Sequence, residues 1–146
     1  MLKISVGSDH GGLEYKNEIK NHLIKQGYEV TDVGTNSKES CHYPHYAEAA
    51  AQLVASKVCD FGILVCTSGE GVAITANKVK GIRCGIGYND EVTRLMRQHN
   101  DCNMIAFGQK YMNLPDVLRR VDIFLTTPFE GGRHAIRVEM IKEIEE

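Results

Sequence analysis

The sequence predicts a three-layer α/β/α sandwich built on a five-stranded parallel sheet. Two observations carry that prediction. Five short apolar runs recur along the chain, KISVGS (3–8), EVTDVG (29–34), FGILVC (61–66), RCGIGY (83–88) and NMIAFG (103–108), each giving way to glycine or a polar residue. Segments of helical periodicity separate them, and strands alternating with helices imply parallel pairing through crossover helices. The runs are near-continuously apolar, as a sheet covered on both faces requires.

Each element has its own signal. Strand 3–8 leads through SDHGG into a helix over 13–26, where Tyr15, Ile19 and Leu23 recur every four residues. Strand 29–34 is followed by the only long loop, 35–44, and then by a helix over 45–56. Strand 61–66 runs through a glycine-bearing turn into a helix over 72–79. Strand 83–88 precedes a helix over 90–99, whose start is marked by Asn89 and Asp90 ahead of Val92, Leu95 and Met96. After strand 103–108 come helices over 115–125 and 134–145, the last with Ile136, Met140 and Ile144 at four-residue spacing. Residues 1–146 read as a single domain, without linker, repeat or low-complexity segment.

Composition narrows the function. A chain of 146 residues can bury a sizeable core. A net charge of -2 supplies no basic field, so no nucleic-acid partner is expected. No apolar run approaches the 18 or so residues of a membrane span, and the start MLKISVGSDH lacks a leader pattern. The expected location is cytoplasmic. The cysteines stand at 41, 59, 66, 84 and 102, an odd number without a CxxC pair. Neither a disulfide framework nor a zinc-finger-like site is expected.

In open parallel sheets, ligands bind beyond the carboxyl ends of the strands, near a switch in strand order. Residues just after each strand therefore matter most: Asp9, His10, Gly11 and Gly12; Thr35; Cys66 to Gly71; Asn89; Gln109 and Lys110. In CTSGEG, Gly69 and Gly71 let backbone N–H groups converge on an anion where a helix begins, and that helix end favours a thiolate at Cys66. A thiol base beside an oxyanion hole suits proton abstraction next to a carbonyl. The structural alternative is a tight turn with a buried cysteine. The P-loop pattern fails, because no lysine follows Gly71, and Val72 stands where a cysteine phosphatase needs arginine.

The remaining clusters are less specific. Asp9 and His10 could hold a hydroxyl and a phosphate, or form an N-cap with turn glycines. Arg133 and Arg137 share one helix face and suit a phosphate, or form a solvated face. His99 ends a helical pattern, where a histidine also serves the helix dipole. His42, Tyr43, His45 and Tyr46 read as a packed loop lining the site. Cys41, Cys59, Cys84 and Cys102 read as core or surface thiols.

Together GSDHGG, YPHYA, ILVCTSGEGVAITANK, GIRCG, RQHNDCNMIAFG and EGGRHAIRVEMIKEIE resemble the ribose-5-phosphate isomerase B family, which includes galactose-6-phosphate and allose-6-phosphate isomerases. The matches run in order over nearly the whole chain. The resemblance implies a Rossmann-like, cofactor-free aldose–ketose isomerase with no metal, acting on a sugar phosphate. It also implies a homodimer or dimer of dimers, with the C-terminal helix packed on a partner subunit. By the same resemblance, Cys66 carries a proton between C1 and C2, and His99 opens the sugar ring from the partner subunit. Thr67, Ser68, Gly69, Glu70 and Gly71 form the oxyanion loop. Asp9 and Asn100 hold hydroxyls, and His10, Arg133 and Arg137 hold the phosphate.

The chain departs from the family pattern at several places. Thr67 replaces a common glycine, His42 a common aspartate and Lys110 a common arginine; Val72 stands where some relatives carry a glutamate base. Glu70 puts a carboxylate in the anion loop and is expected to face solvent. These changes bear on substrate choice. Ribose 5-phosphate is the first reading and a hexose 6-phosphate the alternative. A non-catalytic phosphate-binding module is the competing class.

Overall fold

The computed structural model describes residues 1–146. Its strands are β1 (Lys3–Ser8), β2 (Glu29–Asp32), β3 (Phe61–Cys66), β4 (Cys84–Ile86) and β5 (Met104–Gly108). They form one parallel sheet in the order β2-β1-β3-β5-β4. The helices are α1 (Leu13–Lys25), α2 (Tyr43–Ala55), α3 (Glu70–Asn77), α4 (Asp90–Gln98), α5 (Leu114–Thr126) and α6 (Arg133–Ile144). The order switches between β1 and β3, so SDHGG and CTSGEG leave neighbouring strands at the switch point.

Alternation along the central strands sorts the core into two layers. Ile4, Val6, Ile63, Val65, Ile105 and Phe107 face one side and pack with Ile19 and Leu23 of α1, Met96 of α4, and Val117, Val121 and Phe124 of α5. Leu64, Cys66, Met104 and Ala106 face the other and meet the alanine-rich side of α2 and Val72, Ala73 and Ala76 of α3. The small α2 residues let that helix lie close to the sheet. Edge strands β2 and β4 are only partly buried.

Element boundaries differ from the sequence reading in instructive ways. Helix α2 begins at Tyr43, not His45, because Pro44 fits the first helical turn, where its missing N–H is not needed. Tyr43, His45 and Tyr46 are therefore helical rather than part of a loop, with His42 as the extended N-cap. Helix α3 begins at Glu70, not Val72; Gly69 is its N-cap at φ +85°, a left-handed conformation that suits glycine. Lys16, unremarked in the α1 pattern, is fully buried. Its Nζ donates to both Asp32 oxygens at 2.8 and 2.9 Å, to Thr35 O at 2.6 Å and to Asn36 Oδ1 at 2.9 Å. That ion pair fastens the loop after β2 onto α1.

Helix α6 stands apart from both core layers. It buries only His134 and Val138, while Ile136, Met140, Ile141 and Ile144 are exposed. No helix is long and apolar enough to cross a membrane.

Candidate active site

Cys66 closes β3 at the carboxyl edge of the sheet. It is 5% exposed, and its Sγ accepts the Gly69 N–H at 3.1 Å. The turn is held from below: Gln109 and Lys110 donate their amides to the Cys66 and Thr67 carbonyls at 2.9 and 3.2 Å. Gly108 permits this approach, since a Cβ there would lie 2.5 Å from Ser68 O. The amides of Thr67, Ser68 and Gly71 have no partner within the chain. Free N–H groups at a helix start make a ready anion site. The Ser68 hydroxyl accepts the Glu70 amide at 3.2 Å, and Glu70 is exposed, as expected. Thr67 does not crowd the loop: its hydroxyl lies in the space left by the absent side chain of Gly11.

Asp9 and His10 approach this turn from β1. Asp9 is 7% exposed, yet its Oδ1 has no hydrogen-bond partner. A buried carboxylate oxygen left unpaired calls for a ligand donor, and a sugar hydroxyl is one. The Cys41 amide donates to His10 Nδ1 at 3.2 Å, which leaves Nε2–H of the neutral ring as a donor. Tyr43 packs on the loop from α2; a Cβ on Gly71 would lie 2.5 Å from its ring. Sequence reasoning placed Tyr43 near the site but missed this contact, whose signal was a glycine, Gly71, as the second residue of a helix.

The other predicted residues are elsewhere. His99 and Asn100 follow α4 and precede β5, so they lie at the amino edge of the sheet. The Asn100 carbonyl accepts from Arg83 Nε at 3.0 Å beside the start of β4. Cys66 pairs with Gly108 and Gly62 with Met104, which places the two edges about 13 Å apart at roughly 3.3 Å per residue. Arg133 and Arg137 are exposed on α6 and belong with His99. The His99 and His134 rings stack at 4.1 Å between centroids, and His99 Nε2 is 3.8 Å from Glu130 Oε1. Burial, with His99 and Arg133 nearby, holds the His134 pKa below its usual value. The chain thus carries two separate clusters, one of thiol and amides, the other of imidazoles and guanidinium groups, on opposite edges.

Residues 4–141 match the family described as Ribose/Galactose Isomerase. The chain belongs to that family. It is 46% identical to ribose-5-phosphate isomerase B of Escherichia coli (strain K12), covering 100% of this chain and 98% of that protein. Among solved structures, Clostridium thermocellum ribose-5-phosphate isomerase B superposes with a TM-score of 0.97 at 47% identity, over 99% of this chain and 97% of the other. The Mycoplasma genitalium enzyme with bound ribulose-5-phosphate gives a TM-score of 0.95 at 35% identity, over 98% and 95%.

Burial pushes Cys102 up to about 11 despite Arg83 and Arg97, and it also raises Cys59 and Cys84. Those sulfurs stay protonated inside the fold. Lys110 is exposed, with Nζ 5.8 Å from the centre of the Tyr111 ring.

Proposed function

We propose that the protein is a cofactor-free isomerase that interconverts ribose 5-phosphate and ribulose 5-phosphate through an enediolate. The observation that carries this reading is the Cys66 thiol, buried at a strand end against three unpartnered amides and the free Asp9 oxygen. A sugar held by Asp9 presents its carbonyl oxygen to the Thr67, Ser68 and Gly71 amides. Cys66 removes the neighbouring proton and returns it one carbon away. Negative charge grows on the oxygen the amides hold, and such a donor contributes about 3–4 kcal/mol by precedent. No redox step occurs overall, because one carbon is reduced as its neighbour is oxidised.

Ring opening needs an acid, and His99 of the same chain is too far away. We therefore place His99, Asn100, Arg133 and Arg137 of a second copy over Cys66, with the arginines and His10 on the phosphate. Helix α6 supports this arrangement: its exposed Ile136, Met140 and Ile144 share one face and need a cover. A two-fold pair completes two sites at once.

The test is an assay of wild type and Cys66→Ala on ribose 5-phosphate, with allose 6-phosphate in parallel. Wild-type turnover of the pentose, with a mutant that binds it but does not convert it, supports the reading. Turnover of the hexose alone keeps the mechanism and removes the pentose assignment. An alanine variant as active as wild type would end the thiol-base mechanism.

A further inference from the structure

His99, Glu130 and His134 are scattered in the sequence, and no spacing rule for zinc sites joins them. The fold brings one ligand atom from each to within 4.8 Å of the others. Backbone hydrogen bonds hold all three segments. The Glu130 amide donates to Gln98 O at 3.1 Å, the His99 amide to Leu95 O at 2.8 Å, and the His134 amide to Gly131 O at 3.1 Å. Buried Arg97 donates Nε to Thr127 O at 3.2 Å, which fastens the α5–α6 connection onto α4. Gly131 and Gly132, at φ +72° and +58°, turn the chain so that Glu130 returns beside the start of α6.

We infer that His99, Glu130 and His134 form a binding site for a divalent d-block cation such as Zn2+, through two imidazole nitrogens and one carboxylate oxygen. This donor set suits borderline ions; magnesium and calcium favour oxygen alone. With bonds of about 2.0–2.2 Å, ligand atoms around a tetrahedral ion lie about 3.3 Å apart. The three groups need to close by up to about 1.5 Å, and the His99 ring must turn out of its stack on His134 so that both nitrogen lone pairs meet at the ion. Water completes the shell, and the ion arrives past His99 and Glu130, whose side chains are 37% and 50% exposed. Arg133 and Arg137 oppose a cation and lower the affinity. The ion is therefore an exchangeable ligand, not a resident cofactor.

The consequence rests on the proposed function. An ion on His99 ties up the imidazole that the proposed function uses to open the sugar ring, so Zn2+ inhibits the isomerase and chelators restore it. The site itself is independent of that reading, and its test includes direct binding.

Chelator-treated protein is titrated with Zn2+ by calorimetry and with Co2+ by visible absorption. One ion per chain is expected, with the d–d bands of a nitrogen–oxygen site and no thiolate charge-transfer band. Glu130→Gln, which keeps size and removes charge at an exposed position, should weaken both ions about tenfold or more. The Zn2+ concentration that inhibits should rise in step. Absence of saturable binding overturns the inference. So does a thiolate band, or an affinity that follows Cys66→Ser and ignores Glu130→Gln. If the protein isomerises neither sugar while Glu130 still governs metal affinity, the proposed function falls and the metal site stands.

Discussion

Mixing two inactive variants tests the divided site directly. Cys66→Ala removes the proposed base and His99→Asn the proposed ring-opening acid, and each should lower activity at least about 100-fold. The register of β3 on β5 sets Cys66 and the start of β5 about 13 Å apart, and His99 lies five residues before Met104. A proton donor must approach to about 3 Å. Within one chain the two side chains cannot share a substrate, so the proposed mechanism requires Cys66 from one copy and His99 from another. Statistical exchange makes about half of the dimers mixed. A mixed dimer has one site with both residues intact and one with neither. The mixture should therefore regain about one quarter of wild-type activity at equal chain concentration. The assay is ribulose 5-phosphate formation after joint refolding, with differently tagged wild-type chains showing that subunits exchange. If exchange is demonstrated and the mixture stays as inactive as its parents, the shared site is refuted.

Two further substitutions probe what positions the cluster around Cys66. Lys16→Met leaves the 8%-exposed Asp32 carboxylate with only the outer Lys20 ammonium group at 3.3 Å and the Gly34 amide at 2.9 Å, and should lower unfolding free energy by up to about 3 kcal/mol in urea titration. Burial works against the Asp32 charge, but hydrogen bonds from Lys16 and the Gly34 amide, with the Lys16 charge, hold its pKa below the usual value. That contribution is present above about pH 3.9 and is lost as pH falls through the folded value, so the gap between wild type and variant should narrow in acid; a gap that widens there would contradict the ion-pair account. Gly69→Ala forces a left-handed residue at a cost of about 1–2 kcal/mol and sets a Cβ 3.0 Å from the Phe107 carbonyl carbon. Because the Gly69 amide lies on Cys66 Sγ, kcat should fall along with stability; an unchanged kcat would remove that amide from the mechanism.

The architecture was legible because its signals are local. Apolar runs of about six residues and four-residue repeats decided each strand and helix, and the sheet-edge rule then located Cys66 beside Asp9. Legibility failed where local patterns compete with backbone geometry or distant pairing. EGV at 70–72 reads as loop because glycine is a poor helix former, yet Gly69 in the left-handed region starts the helix before it. Lys16 reads as surface, because nothing adjacent announces that Asp32, Thr35 and Asn36 will surround its ammonium group.

The division of the site was readable in principle, from the rule already applied. In a parallel sheet, residues that follow strands emerge at the carboxyl edge, and residues that follow helices return at the amino edge. Cys66 follows a strand; His99 and Asn100 follow a helix and lead into β5. Chemistry that needs the Cys66 thiol and the His99 imidazole together must then draw on two chains. Helix α6 fits that requirement, since it buries only His134 and Val138 and leaves Ile136, Met140, Ile141 and Ile144 as exposed apolar surface for a second chain to cover. Its arginines at 133 and 137 stand beside those residues, so covering them with a second copy would carry the charges proposed to hold the phosphate toward that copy. On the proposed function, association and catalysis become one structural requirement: a change on α6 that prevents pairing should remove activity even with every residue around Cys66 in place.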